Sequence, residues 1–197
     1  MSEIKILLDD GEKYMFIQTE HTPNPATMKF LPGVEVMQVG TANFPTVEEA
    51  QSSPLASALF RTEGVIGVFL GSDFVTVTKS EDPNWEILKP LILGAIMEHF
   101  QSGRPVIETN EVDDPICEQD ENELVVQIRE LIDTRVRPAV AQDGGDIVYK
   151  GFENGVVYLH MQGACAGCPS STATLKHGIE NMLRYYVPEV QEVRAIE

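Results

Sequence analysis

Apolar residues in this chain recur at two different spacings, and the changes between them mark out the elements. Residues 65–70 and 74–78 are rich in Val, Phe and Thr and flank Gly71-Ser72-Asp73, which predicts a β-hairpin. After it, Trp85, Leu88, Ile92, Ala95 and Ile96 fall on one helical face, and Ser102-Gly103 ends the stripe. Upstream, residues 14–19 and 28–31 read as strands on either side of Thr22-Pro23-Asn24-Pro25, and residues 34–39 supply a further strand candidate. Thr46 with Glu49 matches a capping box, and Pro54 suits the first turn of a helix over residues 55–60. Strands, helix, hairpin and helix in that order predict an α+β domain.

The second half shows the same switching. Leu124, Ile128, Leu131, Ile132 and Val136 make a helical stripe that Pro138 perturbs and Asp143-Gly144-Gly145-Asp146 terminates. Residues 147–152 and 156–161 surround Asn154-Gly155, a strong signal for a tight hairpin. A last helix follows, capped by Ser170 or Ser171, with Leu175, Ile179, Met182 and Tyr186 on its buried face ahead of Pro188. This predicts a small α-β-β-α domain. Between the halves, residues 105–128 contain no Lys or Arg but eight carboxylates, from Glu108 to Glu123. Self-repulsion favours an extended, flexible acidic linker there. The expected fold class is therefore α+β, with two small domains at residues 1–104 and 122–197 and a linker at 105–121.

The 197 residues are 43% apolar, enough for packed cores, and 31 acids against 14 bases give a formal net charge of −17. That balance disfavours nucleic acid as a partner, because phosphate neutralisation needs Lys and Arg. The apolar stretch from Trp85 is interrupted by Glu86, Lys89, Pro90 and Glu98, so no membrane span is expected. Three cysteines are too few for a disulfide framework and suit a reducing compartment. The first ten residues have neither a basic start nor an Arg/Ser-rich amphipathic run. The expectation from these features is a bacterial cytoplasmic protein.

Candidate chemistry centres on Cys165-Ala166-Gly167-Cys168, which follows a strand and opens a helix. At this spacing both sulfurs can face one point, and helix N-terminal amides are expected to help hold them as thiolates. A thioredoxin-like dithiol also places C-x-x-C between strand and helix, but the βαβ unit of that fold is missing upstream. A zinc site needs four ligands, and His160 and His177 lack zinc-finger spacing. An iron–sulfur cluster takes four thiolates, which two copies of the chain supply if each gives Cys165 and Cys168. Cys117, in the acidic stretch, reads as a spare thiol. Asp143 and Asp146 read as a turn satisfying its own backbone, His99 as a half-buried residue at a helix C-terminus, His21 as solvated, and Met161 and Met182 as core.

Those residues also carry a family resemblance. Asp143-Gly144-Gly145-Asp146, then Gly163-Ala164-Cys165-Ala166-Gly167-Cys168-Pro169-Ser170-Ser171-Thr172, with Thr174-Leu175-Lys176 and Pro188-Glu189-Val190, resembles the C-terminal domain of NifU-type scaffold proteins. Phe16-Ile17-Gln18-Thr19-Glu20, Thr22-Pro23-Asn24-Pro25, Lys29-Phe30-Leu31-Pro32-Gly33, and Phe60-Arg61 with Gly64-Val65 resemble the N-terminal domain of Nfu proteins, with Ala26-Thr27-Met28 departing from the usual residues there. The resemblance implies a carrier, not an enzyme. It would hold a labile 4Fe–4S cluster between two subunits through Cys165 and Cys168, receive it from an upstream scaffold or donor, and pass it to apo-proteins. The homodimer would form on loading.

Overall fold

Turn chemistry places the strands of the first half. The computed structural model describes residues 15–108, 122–166 and 169–196. Gly71 donates its N–H to Phe74 O at 2.9 Å, closing the hairpin between β4 (Val65–Leu70) and β5 (Val75–Lys79). With β1 (Gln18–His21), β2 (Thr27–Leu31) and β3 (Ala42–Phe44) these strands form an antiparallel sheet ordered β1-β2-β5-β4-β3. Helices α1 (Pro54–Phe60) and α2 (Trp85–Ser102) bury Leu55, Leu59, Leu88, Ile92 and Ile96 against Met28, Phe30, Val68, Val75 and Val77. Gly103, with φ +65°, stops α2 in the left-handed conformation that glycine tolerates.

Three readings of this half need adjusting. Residues 34–39 form no strand. Val36 and Met37 both give their N–H groups to Ser72 O, at 2.8 and 3.2 Å, so the segment docks on the hairpin turn instead of a ladder. Thr46 and Glu49 do bond, at 3.3 and 3.4 Å, but they lead into a single 3₁₀ turn, Glu49–Ser52. The cap of α1 is Ser53, whose Oγ accepts from Ala56 N at 3.1 Å and donates to Val106 O at 2.6 Å. With Val106 and Ile107 packed on the core and Glu108 N–H donating to Ser52 O, the first half holds the chain through Glu108. Residues 106–108 thus belong with the first unit, and residues 109–121 lie outside the described residues.

The chain divides into two compact units, Met1–Asn110 and Glu111–Glu197. In the second, α3 (Glu123–Leu131) continues through a π-helical turn, Ile132–Val136, into α4 (Arg137–Gln142). Pro138 explains the widening: it has no N–H to return to Thr134, and its ring crowds that carbonyl. β6 (Gly145–Glu153) and β7 (Val156–Gly163) pair through a two-residue turn in which Asn154 and Gly155 both take positive φ, 50° and 80°. α5 (Pro169–Tyr186) then carries the chain back to β8 (Glu192–Ile196), which pairs parallel to β7. Ile128, Ile132, Val136 and Val140 pack with Ile179, Leu183 and Val187 over Ile147, Val157 and Leu159. On α5, Leu183 is buried where Tyr186 was expected, and Tyr186 is 38% exposed. Both units are α+β, as the alternating periods predict. Among the described residues no helix is long and apolar enough to cross a membrane.

Candidate metal centre

The cysteine turn is tied to the turn that precedes β6. Gly145 pairs with Gly163 across the first rung of the β6–β7 ladder, and Ala164 N–H donates to Gly144 O at 3.1 Å. Gly163, at φ +62°, lets the chain leave the ladder, after which Cys165 N–H donates to Gln162 O at 3.3 Å and Ala166 N–H to Gly163 O at 3.1 Å. The Cys165 side chain then turns back over Gly145. A Cβ on residue 145 would lie 2.6 Å from Cys165 Sγ and 2.6 Å from Gln162 O. The sulfur therefore occupies the volume that any side chain at 145 would need.

Asp143-Gly144-Gly145-Asp146 is accordingly more than a self-satisfied turn. Asp146 is 3% exposed and held from two sides. Its Oδ1 accepts from Arg137 Nε at 2.9 Å and from Ile147 N at 2.8 Å, and its Oδ2 accepts from Arg137 Nη2 at 2.8 Å. Arg137 Nη1 also donates to Asp133 Oδ1 at 3.3 Å. Sequence reasoning missed Arg137. Its signal was an arginine beside the helix-perturbing Pro138, one helical segment ahead of the acidic turn.

Cys165 is 6% exposed and packs with the core of the second unit. Burial pushes its thiol up to about 12, and the charges of Asp143 and Asp146 add to the shift. This corrects the expectation that helix amides hold it as a thiolate. The side chain sits in the turn ahead of α5 among apolar groups and two acids, so at neutral pH it carries its proton. Cys168 and Cys117 lie outside the described residues.

The other candidates are placed elsewhere. His160 faces Gln162, with Nδ1 3.4 Å from Gln162 Nε2, and burial lowers its pKa, as does Lys150. His177 is exposed on α5. Neither gathers with Cys165: among the described residues no group of three or more His, Cys, Asp or Glu is placed to hold a metal ion. His99 is buried, not half-buried, and its Nε2 has no hydrogen-bond partner among the described residues. Burial and Arg104 both keep it below its usual pKa. Met161 is core as expected, and Met182 packs partly against it. A soft sulfur donor at a strand–helix turn fits iron–sulfur or zinc chemistry, but one chain's cysteine pair leaves such a site half made.

Fold and site together define an α+β protein of two units whose second unit presents a buried thiol in a strand-to-helix turn. A family model described as "Scaffold protein Nfu/NifU N terminal" matches residues 17–103, and one described as "NifU-like domain" matches residues 128–194. The chain is 52% identical over 194 residues to "NFU1 iron-sulfur cluster scaffold homolog, mitochondrial" of Drosophila willistoni, covering 97% of this chain and 67% of that one. It is 54% identical over 191 residues to "NifU-like protein 4, mitochondrial" of Arabidopsis thaliana, covering 94% and 68%. With "NFU1 iron-sulfur cluster scaffold homolog, mitochondrial" of Homo sapiens it shares 51% identity over 185 residues, covering 93% and 73%. The chain belongs to the Nfu/NifU scaffold family.

It spans about two thirds of the length of the fly and plant relatives. All three relatives are mitochondrial by name, which overturns the expected bacterial cytoplasmic setting. That expectation rested on the composition of the first residues, and a chain matching only part of its relatives' length cannot support it.

Proposed function

We propose that this protein is an iron–sulfur cluster carrier whose second unit binds the cluster through Cys165 and Cys168 and passes it to apo-proteins. The cluster is cargo. It arrives from an upstream donor, is held as 4Fe–4S between two copies of the chain, and leaves when a client's thiolates replace those of the carrier. The single observation that carries this reading is the seat of Cys165: a soft donor fixed by backbone bonds to the Gly144–Gly145 turn, in a family whose relatives are named scaffolds.

The geometry also supports release. With the cluster gone, Cys165 recovers its proton and its apolar seat, so the apo state is a stable destination. A closed four-cysteine site within one chain would hold the cargo too firmly to donate it. Exchange of this kind makes and breaks iron–thiolate bonds only, and no substrate is chemically converted.

Native mass spectrometry of the full chain, reconstituted anaerobically with iron and sulfide, tests the reading. A dimer heavier by one 4Fe–4S unit, absent in Cys165→Ala and in Cys168→Ala but present in Cys117→Ala, is the expected result. A monomer carrying zinc, or loss of two hydrogens to a disulfide, would refute it.

A further inference from the structure

Arg137 and Asp146 form the one ion pair among the described residues in which a buried carboxylate meets a guanidinium at two points. Such two-point bonds are directional and use a cation that does not lose its charge. The helix is built to deliver that arginine. Within the π turn Ile132–Val136 and directly after it, the chain is re-aimed, and Arg137 N–H reaches back to Ile132 O. A wider turn shifts the residues beyond it around the axis, and such turns recur at functional sites. Asp146 follows Gly145, the residue over which the Cys165 sulfur lies. A charge at Asp146 is thus next to the place where a thiolate must form when cargo binds.

We propose that Arg137 is a positioning residue for cluster capture, acting on Cys165 through Asp146. By pairing with the carboxylate at two points it offsets part of a buried negative charge that would oppose the cluster-bearing thiolate. The proposal rests on Cys165 being a cluster ligand. It accounts for a buried acid beside a site that must accept further negative charge, which would otherwise be a liability.

The test compares parent, Arg137→Gln, Asp146→Asn, the Arg137→Gln/Asp146→Asn double variant and Cys165→Ala, all as full chains. Each is reconstituted with iron and sulfide, and loss of the visible absorbance to an iron chelator is timed. Arg137→Gln takes the guanidinium away from Asp146 and is expected to lose cluster on the order of tenfold faster. The double variant lacks the bond but also lacks the charge, and is expected within about threefold of the parent. A purely structural role predicts no such recovery, so a double variant as leaky as the single one overturns the proposal.

Should circular dichroism show Arg137→Gln unfolded, Asp146→Asn carries the test: cluster retention within about threefold of the parent supports the charge role, and loss refutes it. Cluster retained by Cys165→Ala removes the ligand reading and this proposal with it. Cluster lost there, with no recovery in the double variant, removes the role of Arg137 alone.

Discussion

Replacing Gly145 by alanine adds a single carbon where the structure has no room for one. The new Cβ would meet Cys165 Sγ at 2.6 Å, Gln162 O at 2.6 Å and Cys165 N at 3.0 Å. Relaxed carbon contacts lie near ~3.5–4.0 Å, so neighbours must retreat by about 1 Å. The sulfur can change rotamer. The two backbone atoms cannot, because they are the two ends of one bond that shapes the turn, Cys165 N–H to Gln162 O. Over-packing of this kind costs about 1–3 kcal/mol, and a weakened turn bond adds about 1 kcal/mol, for a total of roughly 2–4 kcal/mol. Backbone strain does not contribute, since Gly145 is not among the residues with positive φ. Gly178 on α5 is the control: nothing lies within 4 Å of an added Cβ. Alanine there is expected to stabilise the second unit by about 0.5–1 kcal/mol through helix propensity.

The assay is urea unfolding of the full apo chain with two probes. Trp85, the one tryptophan, reports the first unit, and far-ultraviolet circular dichroism reports both. Gly145→Ala should lower the transition of the second unit by about 1–3 M urea and leave the Trp85 transition in place. The reasoning fails if Gly145→Ala is no more destabilising than Gly178→Ala, or if the Trp85 midpoint moves with it.

Two further predictions follow from burial. The folded apo state holds the Cys165 thiol near 12 against an ordinary 9.0, so at intermediate pH the unfolded chain binds fewer protons at this site than the folded one. The contribution is complete below pH 9 and is lost as pH rises toward 12, with a ceiling of about 4 kcal/mol. Measured from pH 8.5 to 11, the stability gap between the parent and non-titrating Cys165→Ser should change in that sense, and a constant gap would refute the burial account. Ser53→Ala removes both the α1 cap to Ala56 N and the donor to the Val106 carbonyl. It should cost about 1–2 kcal/mol in the first unit, read as a lower Trp85 midpoint, and leave cluster loading intact.

Much of this molecule is local and so could be read along the chain. The Asn154-Gly155 turn demands positive φ at two successive residues, and few residue pairs accept it. The stripe through Leu88, Ile92 and Ile96 repeats at the helical period, and its residues are fully buried. Elements that depend on distant partners were harder to read. β8 is short, lies at the end of the sequence, and is fixed by parallel pairing with β7 and by Glu180, whose Oε2 accepts from Val193 N at 3.0 Å. β3 has three residues and exists because β4 offers it an edge. Residues 34–39 carry strand-like apolar residues, yet the Ser72 carbonyl captured two of their N–H groups.

The same division runs through the site. Spacing alone singled out Cys165 and Cys168, because two thiols three residues apart at a strand end are a local pattern with few uses. Residue types and intervals, which the chain carries without folding, also marked the family. Tertiary structure decided the rest. It set the sulfur of Cys165 over Gly145, buried it enough to keep its proton, and brought Arg137, just past a π turn, to Asp146. Those facts depend on distances between residues apart in sequence and on removal of water from between them, and neither is encoded in a spacing.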